Sequence, residues 1–207
     1  MPRPRALLFD MDGVVCHNMP AHEEAWRLFL RGHGVELELE EFRAKTMGMP
    51  THEVLAYYGV KGTADKKEAL YRSLYKPRAM PGLRAFLRAA KGLALGLGTG
   101  SKGDNVGFIL DGLKLRSSFS AVVDGSMVKK GKPHPETFLL LADALKVKPK
   151  DCVVFEDSLL GEEAARRAGM QVVGITSSHR AHEFKHAKLH LRDFTGLPLS
   201  RVLKLLA

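Results

Sequence analysis

Ala6-Leu7-Leu8-Phe9-Asp10-Met11-Asp12-Gly13-Val14 is the stretch from which the fold can be read. Four apolar residues end abruptly in two carboxylates and a glycine. A strand buried on both faces reads this way where it leaves the core for a polar edge. Further short apolar runs follow at 93–97, 121–123, 152–155 and 171–175. Helical patterns separate them at 102–110, 135–145 and 160–168. Pro135 suits a first helical turn, and Gly169 suits a helix stop. Strand-helix alternation of this kind predicts an α/β fold, a three-layer parallel-sheet Rossmann-like core.

One region breaks the alternation. More than 80 residues separate the first two strands, and they read as helices at 21–31, 38–45, 51–58, 63–76 and 82–90. The last serves as the crossover helix; the others exceed what one crossover needs. The expectation is therefore an inserted small α-helical cap at 15–80, with the core made of 1–14 and 81–207. Pro81-Gly82 marks the return. The tail holds a last short strand near Leu189 and a helix from Leu199.

Composition narrows the function classes. The chain has 207 residues, 45% of them hydrophobic, enough for a sizeable core. No apolar run approaches the roughly 18 residues of a membrane span, and 6–9 is too short for a secretory signal. Two cysteines, Cys16 and Cys152, make no disulfide framework, so a cytoplasmic location is expected. The net charge of +9 invites a nucleic-acid partner. However, the basic residues are spread through helices, as in Lys66-Lys67 and Arg166-Arg167, and no aromatic-basic stacking pattern accompanies them. A solvated basic surface or a small anionic partner is the expectation, with no nucleic acid, no membrane, and a monomer or weak homodimer. The chain has only two asparagines and one glutamine, a trait of heat-adapted proteins.

Ligands of open parallel sheets bind beyond the carboxyl ends of the strands. There the sequence places Asp10-Met11-Asp12-Gly13, then Thr99-Gly100-Ser101, then Lys132-Pro133 ahead of a helix, then Glu156-Asp157-Ser158. Gaps of 89, 33 and 25 residues separate Asp10, Thr99, Lys132 and Asp157, yet the fold brings all four to one edge. Crowded carboxylates repel one another and call for a cation. All-oxygen donors favour a hard ion such as Mg²⁺. An aspartate can act as a nucleophile toward phosphorus, and a second carboxyl two residues on can serve as acid and base. A lysine neutralises phosphate charge, while a threonine hydroxyl and backbone N–H groups hold phosphate oxygens.

These segments resemble the haloacid dehalogenase-type phosphohydrolase superfamily, over nearly the whole chain. The inserted helices look like the small cap of the branch containing phosphoglycolate phosphatases and β-phosphoglucomutases. The resemblance implies Asp10 as nucleophile, Asp12 as general acid/base, and Thr99 and Lys132 as phosphoryl binders. It implies Mg²⁺ on Asp10, the Asp12 carbonyl and Asp157, with Glu156 as a supporting or direct ligand. Gly13, His22, Gly100 and Ser101 fall at substrate-binding positions, and the substrate is a small phosphorylated metabolite. The expected activity is a Mg-dependent phosphatase; a β-phosphoglucomutase-like mutase is the alternative. Two departures matter. Cys16-His17-Asn18 stands where the family carries an acidic residue and Ser or Thr. The loop Gly48-Met49-Pro50-Thr51-His52 lacks the mutases' cap arginine, which favours the phosphatase. Asp12 argues against halide removal.

Other patterns compete. Gly98-Thr99-Gly100-Ser101-Lys102-Gly103, with Asp124 further on, is a dinucleotide-binding pattern that suggests a nicotinamide oxidoreductase. It accounts for none of Asp10, Asp12, Lys132 or Asp157. A catalytically silent binding protein would have no use for so many acids at one edge. His182, His186 and His190 recur every four residues, a metal-binding step if helical, but no carboxylate or cysteine completes the set. Trp26 and Phe29 read as cap core.

Overall fold

The computed structural model describes residues 5–46, 49, 51–62 and 64–206. Six parallel strands form the sheet in the order β3-β2-β1-β4-β5-β6. They are β1 (Ala6–Phe9), β2 (Ala94–Gly98), β3 (Ala121–Val123), β4 (Cys152–Glu156), β5 (Gln171–Ile175) and β6 (Leu189–Leu191). β1 lies centrally, and all four of its residues are buried, as an unalternating apolar run requires. Leu7, Phe9, Leu97, Val153, Phe155 and Ile175 pack on one face against α5 (Leu83–Ala89), α6 (Gly103–Gly112) and α9 (Leu199–Leu203). Ala6, Leu8, Val154 and Val172 pack on the other against α7 (Glu136–Ala144) and α8 (Leu159–Arg167). These are the three layers expected. Phe9 and Phe155 stack across adjacent strands, centroids 4.7 Å apart.

Between β1 and α5 lie α1 (Met19–Arg31), α2 (Leu39–Lys45), α3 (Thr51–Tyr57) and α4 (Ala64–Leu74). Trp26, Phe29, Leu30, Phe42, Val54 and Leu55 form an apolar cluster of their own. α4 ends two residues earlier than the pattern predicts, because Pro77 disfavours helical geometry at Lys76. Thr63, its expected first residue, lies outside the described residues, as do Gly48 and Pro50 of the loop before α3. Pro135 is the N-cap of α7 rather than part of its first turn. The three spaced histidines share no helix: His182 is in a 3-10 turn, His186 in a loop and His190 in β6. No helix among the described residues is long and apolar enough to cross a membrane.

Candidate active site

Register decides what meets at the sheet edge. Phe9 is level with Leu97 on one side and Phe155 on the other. Asp10, Gly98 and Glu156 therefore form a row, with Asp12, Thr99 and Asp157 just beyond it. Lys132 arrives on the loop between β3 and α7, and its ammonium pairs with both Asp10 Oδ1 and Glu156 Oε1. Asp10, Asp12, His22, Thr99, Gly100, Ser101, Lys132 and Asp157 all line one cavity of about 100 Å³. Gly13 and Glu156, also expected at the site, lie behind its wall.

Glu156 is fully buried. Its second oxygen accepts the N–H groups of Asp157 and Ser158 at 3.0 and 3.1 Å and the Ser158 hydroxyl at 3.0 Å. That hydroxyl also accepts the Gly161 N–H at 3.0 Å, capping α8. A Cβ on Gly161 would run into the Glu156 carboxylate, so the helix approaches this closely only with glycine there. Gly13 meets the same demand. Its φ is +74°, and a side chain would collide with Asp157. Asp157 Oδ2 accepts from Ser177 at 3.1 Å and from Ser178, and Ser177 also donates to the Gly13 carbonyl at 2.7 Å.

Asp12 is held from both sides. Oδ1 accepts from Asn18 Nδ2 at 2.6 Å and lies 3.4 Å from His22 Nε2; Oδ2 accepts from Ser101 at 2.8 Å. Burial opposes its charge, but the His22, Asn18 and Ser101 contacts prevail and keep the carboxyl below the usual carboxylate range. Asp10 shifts the other way: burial, then repulsion by Glu156, Asp12 and Asp157, outweigh the pull of Lys132. Burial and the Glu156 charge raise Asp157 to about 7. Lys132 resists its own burial and stays charged because Asp10 and Glu156 flank it. One ammonium cannot offset four neighbouring carboxylates. Burial leaves the Cys16 thiol well above its usual range, an inert group.

Several residues here carry no motif. Lys67, read from sequence as part of a solvated basic helix, is instead 2% exposed and lines the cavity. The phase of α4 signals this, since Lys67 stands four residues before buried Tyr71 on one face. Lys67 Nζ lies 3.0 Å from His22 Nδ1, and Tyr71 stacks on the His22 ring at 3.9 Å. The only two asparagines in the chain are both buried, and both fasten α4. Asn18 bridges Asp12, the Gly13 N–H and the Tyr71 hydroxyl, at 2.6, 3.1 and 2.7 Å. Asn105, on α6, donates to Glu68 at 2.6 Å and accepts from Arg72 at 2.7 Å. Their rarity was the available sequence signal. The glycine pattern at 98–103 has a packing cause: a Cβ on Gly98 would press on Leu141 and Thr137 of α7. Asp124, its supposed acidic partner, is engaged by the N–H and hydroxyl of Ser126 at 2.7 and 2.5 Å.

Comparison with known proteins gives concordant results. Residues 4–169 match the family described as haloacid dehalogenase-like hydrolase. Fructose-1-phosphate phosphatase YqaB of Escherichia coli (strain K12) is 35% identical, over 84% of this chain and 97% of that protein. The phosphorylated carbohydrates phosphatase of Thermotoga maritima is 33% identical, over 84% and 86%. The crystal structure of β-phosphoglucomutase from Clostridium difficile superposes with a TM-score of 0.86 at 26% identity, covering 98% of this chain and 97% of that one.

Proposed function

The chain belongs to the haloacid dehalogenase-like hydrolases, and from that premise we propose that it is a Mg²⁺-dependent phosphatase of small sugar phosphates. The observation that carries this reading is the convergence of Asp10, Asp12, Thr99, Lys132 and Asp157 on one cavity. The phosphatases among the relatives, one acting on fructose 1-phosphate, support the substrate class. We also divide the chain into a core at 1–14 and 81–207 and a cap at 15–80. The separate apolar cluster around Trp26 supports that division.

The donor set suits Mg²⁺, which takes one or two carboxylates together with carbonyl, water and phosphate oxygens. Among the described residues, Asp10 Oδ2 and Asp157 Oδ1 accept no hydrogen bond, while Lys132 and the two serines occupy the other oxygens. Both carboxyls are pushed upward by burial and mutual repulsion, which a cation relieves. We assign Asp10, Asp157 and the Asp12 carbonyl to the metal. Glu156 has both oxygens engaged, so its task is to hold Lys132. The metal, when bound, offsets the charge of the phosphate oxygens.

Asp10 attacks phosphorus, the ester P–O bond breaks, and an aspartyl-phosphate forms. Asp12 acts here in its protonated form, which the His22, Asn18 and Ser101 contacts disfavour and so make a stronger acid, and delivers the proton to the departing alcohol oxygen. The resulting carboxylate then takes a proton from water, whose oxygen attacks phosphorus and frees Asp10 and inorganic phosphate. Asn18, Ser101 and His22 favour the carboxylate form of Asp12, which suits the second step. Lys132 neutralises charge at the nucleophile, and Thr99 sits beside Asp12 at 3.5 Å. Phosphate release from p-nitrophenyl phosphate tests the reading: Mg²⁺ supports it, EDTA stops it, and Asp10→Asn abolishes it while the circular dichroism spectrum is retained. Nicotinamide cofactor binding without phosphate release would overturn it. The likeness to β-phosphoglucomutase gives the mutase alternative its own assay: glucose 6-phosphate, rather than free glucose, formed from β-glucose 1-phosphate.

A further inference from the structure

Opposite the phosphate end, the cavity is roofed by Trp26, Phe42 and Val54, with one cation, Lys67. That ammonium is already answered. It lies 3.2 and 3.4 Å from the two Glu68 oxygens and 4.9 Å over the Trp26 ring. Glu68 is clamped in turn: the Thr51 hydroxyl donates to Oε1 at 2.7 Å and Asn105 Nδ2 to Oε2 at 2.6 Å. At the floor, Lys132 is bound to Asp10 and Glu156. Among the described lining residues there is no arginine and no further lysine. A phosphoryl group with its metal can be balanced at the floor, whereas a second anion would meet aromatic carbon and an ammonium whose charge Glu68 already offsets.

Resting on the phosphatase reading, we propose that Glu68 is a specificity-determining residue: by neutralising Lys67 in the cap roof, it restricts the enzyme to phosphate monoesters whose remaining body is an uncharged polyol or sugar. Bisphosphates and phosphorylated carboxylic acids are turned away. An anionic tail would give up water for the carbon of Trp26, Phe42 and Val54 and find the one roof ammonium already paired with Glu68. A hydroxylated tail carries no such charge and can lay its C–H face on Trp26.

Two substrate pairs that differ in tail charge test this: glycerol 3-phosphate against 3-phosphoglycerate, and glucose 6-phosphate against 6-phosphogluconate. With Mg²⁺ and phosphate release as readout, the uncharged member of each pair is expected to have at least about tenfold higher kcat/KM, mainly through KM. Glu68→Gln leaves Lys67 without its counter-charge and should shrink that ratio by about tenfold, through a fall in KM for the charged substrates. Asn105→Ala, which releases one Glu68 oxygen, should move the ratio in the same direction and serves if Glu68→Gln does not fold. Equal efficiencies within the pairs for the wild type, or an unchanged ratio in the folded variants, would overturn the inference alone. No turnover of any monophosphate would overturn the phosphatase reading and this inference with it.

Discussion

Glu156 shows how one side chain ties stability to chemistry. It is buried at the end of β4 with one oxygen on Lys132 and the other on its own turn. Gly161→Ala would push a methyl into that carboxylate. Thermal unfolding should show a loss of about 2 kcal/mol, and kcat should fall together with it because Lys132 is displaced. Lys132→Met removes the ammonium that pairs with Asp10 and Glu156 in a buried carboxylate cluster. We expect a loss of about 3 kcal/mol in denaturant titrations and no measurable turnover; wild-type activity in this variant would remove Lys132 from the mechanism.

At the scale of elements, α8 and α4 each serve two ends. Ser158 caps α8 and donates to Glu156 through the same hydroxyl. Ser158→Ala should therefore lower stability by about 1 kcal/mol and also slow the reaction, whereas a purely structural cap would spare kcat. Among the helices between β1 and α5, Leu30 is fully buried in a cluster separate from the sheet. Leu30→Ala should destabilise by about 3 kcal/mol. Hydrogen exchange should then quicken in α1–α3 while β1 and β4 keep their protection. Uniform loss of protection would contradict the division into cap and core.

For the molecule as a whole, α4 is held against the core through Asn18 and Asn105, and the charge of Glu68 belongs to that clasp. Burial resists its ionisation, but Lys67, Thr51 and Asn105 hold the carboxyl below its usual 4.5. Its folded value is thus lower than its unfolded one, so the stabilisation is complete above about 4.5 and is lost as the pH falls through the folded value. Melting temperatures measured from pH 6 down to pH 3.5 should drop less steeply for Glu68→Gln than for the wild type. Parallel curves would show that the clasp does not depend on this ionisation.

Much of this architecture was legible from local pattern. Ala6–Phe9 reads as a strand because it is uniformly apolar, and Asp10 and Asp12 read as a site because they follow it without a break. The order of the remaining motifs and the count of strands come from the same local contrasts. Lys67, Glu68, Asn105, Ser177 and Ser178 could not be read that way. The phase that Lys67 shares with Tyr71 is outweighed by the run of charges around it, which looks solvated, and the two serines resemble an ordinary loop. Their partners are remote: Ser177 meets Gly13 across 164 positions, and Asn105 meets Glu68 across 37. Hydrophobic periodicity is a property of neighbouring residues, so the amino-acid order alone determined the elements and the sheet edge where chemistry gathers. Which charges are buried against one another depends on how strands align and how the cap seats, and only the tertiary structure decided that.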